Sequence, residues 1–181
     1  MNRMEPRYRP LAQALHWLIA LTVIGLLIVG LLLHYDVLPK SLRPTTAMLH
    51  MSFGLIILAL MVLRVAVRLS GQAPPLPGSV SPAIRMASGT TQILFYVLLF
   101  AMPVFGVLFV EAHGGKVPFF GLFDLPTLVS KSRTIHSDFA FLHFWGGITL
   151  LVLLVLHVGG AIRHQMRGER ILIRMMPRRS R

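Results

Sequence analysis

Cysteine is absent from this chain of 181 residues. Its absence excludes disulfide bonds, thiolate metal sites, iron–sulfur clusters and the covalent attachment of haem through a Cys-x-x-Cys-His motif. Charged residues are scarce, at 13% of the sequence, whereas an average soluble domain has about a quarter. Hydrophobic residues make up 55% of the chain, and the mean hydropathy is +0.71. This composition excludes an ordinary soluble domain and predicts a membrane protein.

Four apolar segments are long enough to cross a bilayer as helices, which takes about 20 residues. They span residues 11–33, 46–69, 87–110 and 139–162. Pro103 lies inside the third segment and predicts a kink or a local break there. The sequence therefore predicts an all-α fold, in which residues 1–181 form one transmembrane domain built as a four-helix bundle.

Four spans put both termini on one side of the membrane, and the basic residues indicate which side. The loops on the opposite side carry only five of the 18 basic residues: Lys40, Arg43, Lys116, Lys131 and Arg133. Because basic residues concentrate on the cytoplasmic side, the sequence predicts cytoplasmic termini in a bacterial inner membrane. The same bias accounts for the net charge of +12, so we expect lipid around the chain and no nucleic-acid partner. The first segment is too long for a signal peptide and should be retained as a helix.

Four histidines, His16, His50, His143 and His157, lie inside these apolar segments. A polar ring in hydrocarbon is costly, so it usually has a function. The 14 residues between His143 and His157 make about four helical turns, a rise of about 21 Å on nearly one face. Depth then pairs His50 with His143 at the outer level and His16 with His157 at the inner level. Two stacked pairs of imidazoles predict two haem groups, and without cysteine each would be haem b.

Two further residues lie at these levels. Gly30 falls at the outer level on the first helix, where a missing side chain would let a flat macrocycle approach the backbone or would serve helix packing. Arg64 falls at the inner level, where it could pair with a haem propionate or extend to the interface. Four other histidines are expected near the membrane surfaces: His34, His113, His136 and His164. Of these, only His136 shares a helix face with His143.

Several short motifs accompany the histidines. They are Ala14-Leu15-His16-Trp17, Arg43-Pro44, Met48-Leu49-His50, Tyr96, Pro103-Val104-Phe105-Gly106 and the spaced pair His143 and His157. Together they resemble the prokaryotic cytochrome b561 family of four-helix, di-haem membrane proteins over essentially the whole chain. The tail from Ile173 to Arg179 resembles that of the family's superoxide-oxidase member. Gln92 stands where some relatives carry a histidine, which leaves a proton or quinone role for the third helix in question.

The resemblance implies haem b and quinone chemistry. In the superoxide-oxidase interpretation, the outer haem takes an electron from periplasmic superoxide, and the electrons pass to ubiquinone. Two histidines on each iron leave no open coordination position, which favours electron transfer over oxygen activation. Arg43, Lys131 and Arg133 could attract the superoxide anion. The outer loops also carry four acidic residues: Asp36, Glu111, Asp124 and Asp138. With the five basic residues, the net charge of the outer loops is therefore only +1.

Two other functions stay open at this point. The chain could be a cytochrome b subunit that relays electrons between a dehydrogenase partner and the quinone pool. It could also be a helical transporter or scaffold whose histidines bind no haem. A haem absorbance spectrum would separate the last interpretation from the first two, and co-purification with a soluble redox subunit would indicate the relay.

Overall fold

The computed structural model describes residues 7–71, 74, 80–169 and 171–176. Four long helices dominate them, namely α1 (Pro10–His34), α2 (Arg43–Leu69), α3 (Pro82–His113) and α4 (Arg133–Met166). All four are long and apolar enough to cross a membrane. The predicted all-α, four-helix membrane fold is therefore confirmed. A short hairpin of β1 (Pro118–Phe119) and β2 (Phe123–Asp124) and a 3₁₀ helix (Leu172–Met175) are the other regular elements described.

The helices α3 and α4 begin before the apolar segments that predicted them. The hydroxyl oxygens of Ser81 and Ser132 accept hydrogen bonds from the backbone N–H groups of Ile84 and Ile135, both at 3.4 Å. Such capping satisfies backbone donors that the first helical turn leaves free, so a polar turn precedes each span. The helix α3 continues through Pro103, and the local break that this proline suggested does not occur.

Close helix packing follows the chain order, with α1 on α2, α2 on α3 and α3 on α4. A cluster of buried apolar side chains lies at the middle of the bundle: Ile19, Val23, Ile57, Met61, Leu99 and Leu150. Many of the other large apolar side chains on the helices are exposed, as expected for surfaces that face lipid. The apolar core therefore occupies the depth between the two predicted levels of histidine pairs.

The first and the last described segments of the chain meet at one end of the bundle, which we call the inner end. The backbone N–H of Tyr8 donates to the carbonyl of Arg174 at 3.1 Å, and the Trp17 indole donates to the carbonyl of Met175 at 2.8 Å. The Arg174 side chain is buried, donates to the carbonyl of Pro74 and lies over the Tyr8 ring. The 3₁₀ helix is thus fastened to the start of α1. That the inner end faces the cytoplasm stays a prediction.

The opposite, outer end is covered by residues 117–129, which we call the outer cap. Ser52 of α2 is fully buried, and its hydroxyl oxygen accepts the backbone N–H of Phe120 at 2.8 Å. Glu111 of α3 is also buried, and its carboxylate accepts the N–H groups of Leu128 and Val129 at 2.9 and 3.2 Å. Because buried polar groups need partners, these two residues hold the outer cap against the helices.

Candidate functional site

The four intramembrane histidines form two pairs, matched as their predicted depths require. The ring centres of His50 and His143 are 6.1 Å apart, and those of His16 and His157 are 6.3 Å apart. In each pair, one ring comes from α4 and the other from α1 or α2. Among the four long helices, α3 is the one on which α4 packs closely, so the rings project across the space between α4 and the first two helices.

This spacing leaves room for one metal ion between the two rings of each pair. A metal–imidazole bond of about 2 Å on each side, added to the ring radii, gives about 6 Å between ring centres. Within the described ranges of the chain, no group of three or more His, Asp or Glu side chains is placed to hold a metal ion. Each pair therefore offers two imidazoles, the number of protein ligands that a bis-histidine haem iron takes.

The outer pair lines a cavity of about 680 Å³, within the size range of cofactor sites. Apolar side chains from all four helices form most of its wall, together with Val117 of the outer cap. Four glycines also line it: Gly30, Gly54, Gly106 and Gly147. The cavity is thus a largely apolar space, and its main polar groups are the imidazoles of His34, His50 and His143.

One outer ring is fixed by a backbone hydrogen bond. His143 Nδ1 lies 3.1 Å from the carbonyl oxygen of Met102 on α3. A carbonyl can only accept, so Nδ1 carries the hydrogen and Nε2 keeps its lone pair. Metal-ligating histidines commonly use such a bond to fix tautomer and ring orientation. By contrast, His50 Nδ1 is buried without a hydrogen-bond partner in the described part of the chain, so only packing orients that ring.

Two glycines give the outer rings their space. A Cβ atom at Gly30 would lie 3.3 Å from Cε1 of His50, and one at Gly106 would lie 3.2 Å from Cε1 of His143. Gly30 therefore lines the cavity, and the absence of a side chain there also makes room for the His50 imidazole. By comparison, a Cβ at Gly54 would meet nothing within 4 Å. Among the four glycines that line the cavity, the tight positions are the two beside the histidines.

The inner pair has a cation beside it. Arg64 Nη2 lies 3.3 Å from Nδ1 of His16, so the guanidinium remains inside the bundle instead of extending away from it. Its Nη1 is buried and lacks a hydrogen-bond partner within the described ranges. Trp17 and Phe95 approach His16 and His157 edge-on, with ring centres at 5.3 and 5.7 Å. An anionic group at this level could satisfy the free donor of Arg64.

Acidic neighbours offset more of the positive charge at the outer end than a surface that captures anions would allow. Arg43 forms a 2.6 Å ion pair with Asp36 and donates to the carbonyl of Leu38 at 3.0 Å. Its charge is thus offset, and the residue shapes the turn between α1 and α2. Lys116 pairs with Asp124 at 3.2 Å. Of the three predicted capture residues, Lys131 and Arg133 are the ones that form no ion pair within the described residues.

Comparison with known proteins identifies the family. The model of the prokaryotic cytochrome b561 family matches residues 7–178. The chain belongs to this family. Cytochrome b561 homolog 2 of Escherichia coli strain K12 is 35% identical over 164 residues, which cover 87% of this chain and 84% of that protein. The probable superoxide oxidase CybB of Yersinia pestis is 27% identical over 185 residues, 97% of this chain and 99% of that protein.

As a cytochrome b561, the chain is a membrane electron-transfer protein, and its family implies haem b. The outer cavity fits this cofactor, because its apolar wall, its glycines and its two facing imidazoles suit a planar macrocycle with a central iron. At the inner level, the paired rings and the unsatisfied donor of Arg64 fit a macrocycle that carries carboxylates. Arg64 would pair with a propionate there.

Some contacts of this cytochrome b561 site were not predicted from the sequence. Met102 supplies the carbonyl that orients His143, Gly106 makes room for the same ring, and Phe109 stacks on it with ring centres 6.3 Å apart. The motif from Pro103 to Gly106 marked this stretch of α3 as characteristic of the family. It gave no sign that the stretch contacts His143, because the contact depends on how α3 and α4 are aligned.

Proposed function

We propose that this cytochrome b561 holds two haem b groups, one between His50 and His143 and one between His16 and His157. The observation that carries the proposal is the facing of these rings at two depths, about 21 Å apart by helical rise. Bound haem b would supply reversible one-electron transfer. With two histidines to hold each group, the protein would favour electron transfer over oxygen activation.

We further propose that the chain is a superoxide oxidase of the bacterial inner membrane. Two superoxide anions would each give up one electron and leave as oxygen, and one ubiquinone would take the two electrons and two protons to become ubiquinol. Support comes from the similarity to the probable superoxide oxidase of Yersinia pestis, which extends over 97% of this chain. The tail that suggested this member lies partly outside the described residues, because residues 177–181 are not among them.

The chain's own residues would have three tasks in this reaction. The histidines hold and orient the cofactors, and the Met102 carbonyl fixes the orientation of His143. The apolar wall of the outer cavity excludes water, which lowers the reorganisation that accompanies a change of charge. Lys131 and Arg133 would attract the anionic substrate to the outer end, since clefts with one sign of charge concentrate ions of the other sign.

A relay function is the second candidate. In that case the chain would pass electrons between a dehydrogenase partner and the quinone pool, without a substrate of its own. Two observations favour it. The more similar of the two relatives described above carries only the general name cytochrome b561 homolog 2, and the ion pairs of Arg43 and Lys116 offset much of the positive charge at the outer end.

One experiment separates the two functions. Purified, haem-loaded protein is exposed to superoxide in the absence of any partner protein, and haem absorbance is followed with time. A superoxide oxidase reduces its haems under these conditions, and added ubiquinone reoxidises them. If superoxide leaves the haems oxidised while a partner dehydrogenase reduces them, the relay function is correct. A protein without a Soret band would contradict both functions.

A further inference from the structure

Two histidines outside the intramembrane pairs lie side by side at the outer end. His113 is the last residue of α3, and His136 lies in the first turn of α4. Their ring centres are 4.7 Å apart, with the rings inclined at 41°. The N–H of Ser132 donates to the carbonyl of Ala112 at 3.0 Å, which joins the two helix ends beside the histidines. The rings are therefore brought together by a fixed junction of the backbone.

The His136 ring is oriented like that of a metal ligand. Its Nδ1 lies 3.0 Å from the carbonyl oxygen of Phe109. Because a carbonyl only accepts, Nδ1 carries the hydrogen, and the lone pair of Nε2 is left available. Histidines that bind metals commonly donate the hydrogen of their other ring nitrogen to a backbone carbonyl in this way. His113 is exposed, so an ion from solution can reach the pair.

The spacing suits one tetrahedral ion. Two imidazoles bound to one zinc ion have ring centres about 5 Å apart, because each metal–nitrogen bond is about 2 Å long. Imidazole favours zinc, copper and nickel over calcium or magnesium. The nearby carboxylate of Glu111 is already bonded to the N–H groups of Leu128 and Val129, so water would complete the coordination shell.

We propose that His113 and His136 form a binding site for a divalent transition-metal ion, with Zn²⁺ as the representative case. The site is distinct from the two intramembrane pairs, since none of their histidines takes part in it. The Phe109 ring lies between the two regions, with its centre 5.2 Å from that of His136 and 6.3 Å from that of His143. The proposal does not depend on which electron donor the protein uses.

Calorimetric titration with Zn²⁺ tests the site. The protein is used tag-free and fully loaded with haem, so that neither a tag nor empty intramembrane pairs bind the ion. We expect one saturable Zn²⁺ per chain. Either His113→Gln or His136→Gln should weaken binding by at least about tenfold, since even the loss of a group that only hydrogen-bonds to a metal ligand has an effect of that size. Haem content, measured by absorbance, should stay unchanged in His113→Gln because the side chain is exposed.

His34→Gln is the matched control, because His34 is an exposed histidine at the end of α1 whose ring contacts are with Tyr35 and Phe144. This variant should bind Zn²⁺ as the parent protein does. If the parent protein shows no saturable binding, or if His113→Gln binds as tightly as the parent, the proposal is wrong. An equal loss in His34→Gln would also overturn it, because the ion would then lie elsewhere. If His136→Gln loses haem, the Zn²⁺ affinity of His113→Gln alone decides whether the proposal holds.

Discussion

The outer and inner histidine pairs have nearly the same ring spacing in different surroundings. The outer pair lies in an apolar cavity, with His143 fixed by a backbone carbonyl and the outer cap close by. The inner pair has the Arg64 guanidinium beside His16, and its second ring, His157, is exposed. The difference indicates that the orientation of the rings is controlled more tightly in the outer pair, whereas a nearby positive charge distinguishes the inner pair.

This contrast sets a direction for electrons if both pairs hold haem. A nearby cation stabilises the reduced form of a cofactor, because the added electron is attracted to it. The inner haem should therefore have the higher reduction potential, and electrons should move from the outer level to the inner level. The same direction suits a donor at the outer end, as the proposed superoxide oxidation requires.

The largest expected effect comes from removing an outer ligand. His50→Ala or His143→Ala should abolish the outer haem and leave the inner haem in place, so that the pyridine haemochrome assay falls from two haems per chain to one. His157→Ala is the reciprocal variant and should retain the outer haem. One haem per chain in the unaltered protein would refute the pairing, as would loss of both haems in a variant that still folds.

A smaller effect is expected from filling the space beside an outer ring. Gly106→Ala places a methyl group 3.2 Å from His143 Cε1, and overpacking of this kind costs about 1–3 kcal/mol. We expect a lower thermal midpoint and an altered outer-haem EPR signal. Gly25→Ala is the control, because Gly25 does not line the cavity, its methyl group would meet nothing within 4 Å, and alanine favours the helix by about 0.5–1 kcal/mol. Equal behaviour of the two variants would show that His143 is not tightly held.

Removing the positive charge of Arg64 should change the reduction potential at the inner pair alone. Arg64→Ala should lower the potential of the inner haem by the equivalent of about 1 kcal/mol, the order expected for one partly screened charge, while the outer potential stays unchanged. Redox titration followed by absorbance measures both. Arg64→Lys should restore part of the shift, and Arg68→Ala, an exposed arginine at the same end of α2, should cause none. Unchanged potentials in Arg64→Ala would favour a role in interface anchoring over propionate binding.

The smallest effect is expected at the outer surface. If superoxide is the substrate, Lys131→Gln and Arg133→Gln should each slow haem reduction by superoxide by a factor of a few, and added salt should slow it too. Salt should slow the reaction because dissolved ions screen the attraction between charges more than about 10 Å apart at 0.1 M salt. Lys116→Gln removes a charge that Asp124 already offsets and should matter less. Rates that do not depend on these charges or on salt would argue against electrostatic capture.

The sequence predicts the helices well, and it predicts which histidine rings lie near each other in the structure, because both follow from local rules. Apolar length defines a span, and helical rise fixes the depth of a side chain along it. The outer cap and the contact between the first and last described segments follow no such rule. The hydrogen bond from Phe120 to Ser52 connects positions 68 residues apart, and that from Trp17 to Met175 connects positions 158 residues apart. Such contacts depend on the assembled bundle, which composition and periodicity do not describe.

The charged side chains illustrate the same limit at the level of single residues. Counting charges made Arg43 a candidate for capturing the substrate, because it lies in an outer loop. Its ion pair with Asp36 and its hydrogen bond to Leu38 show a residue engaged within its own turn. A charge count treats every ion as exposed and independent, whereas the fold decides which ions are neutralised by neighbours.

The contribution of α4 to both pairs has a consequence for biosynthesis. Every facing pair of intramembrane rings includes one histidine from this helix, His143 or His157. A nascent chain that has inserted α1, α2 and α3 therefore contains only single imidazoles, and neither two-ligand site exists in it. Both sites come into being in one late step, when the last helix enters the membrane. The joining of Tyr8 to Arg174 must come later still, after synthesis has passed the end of α4.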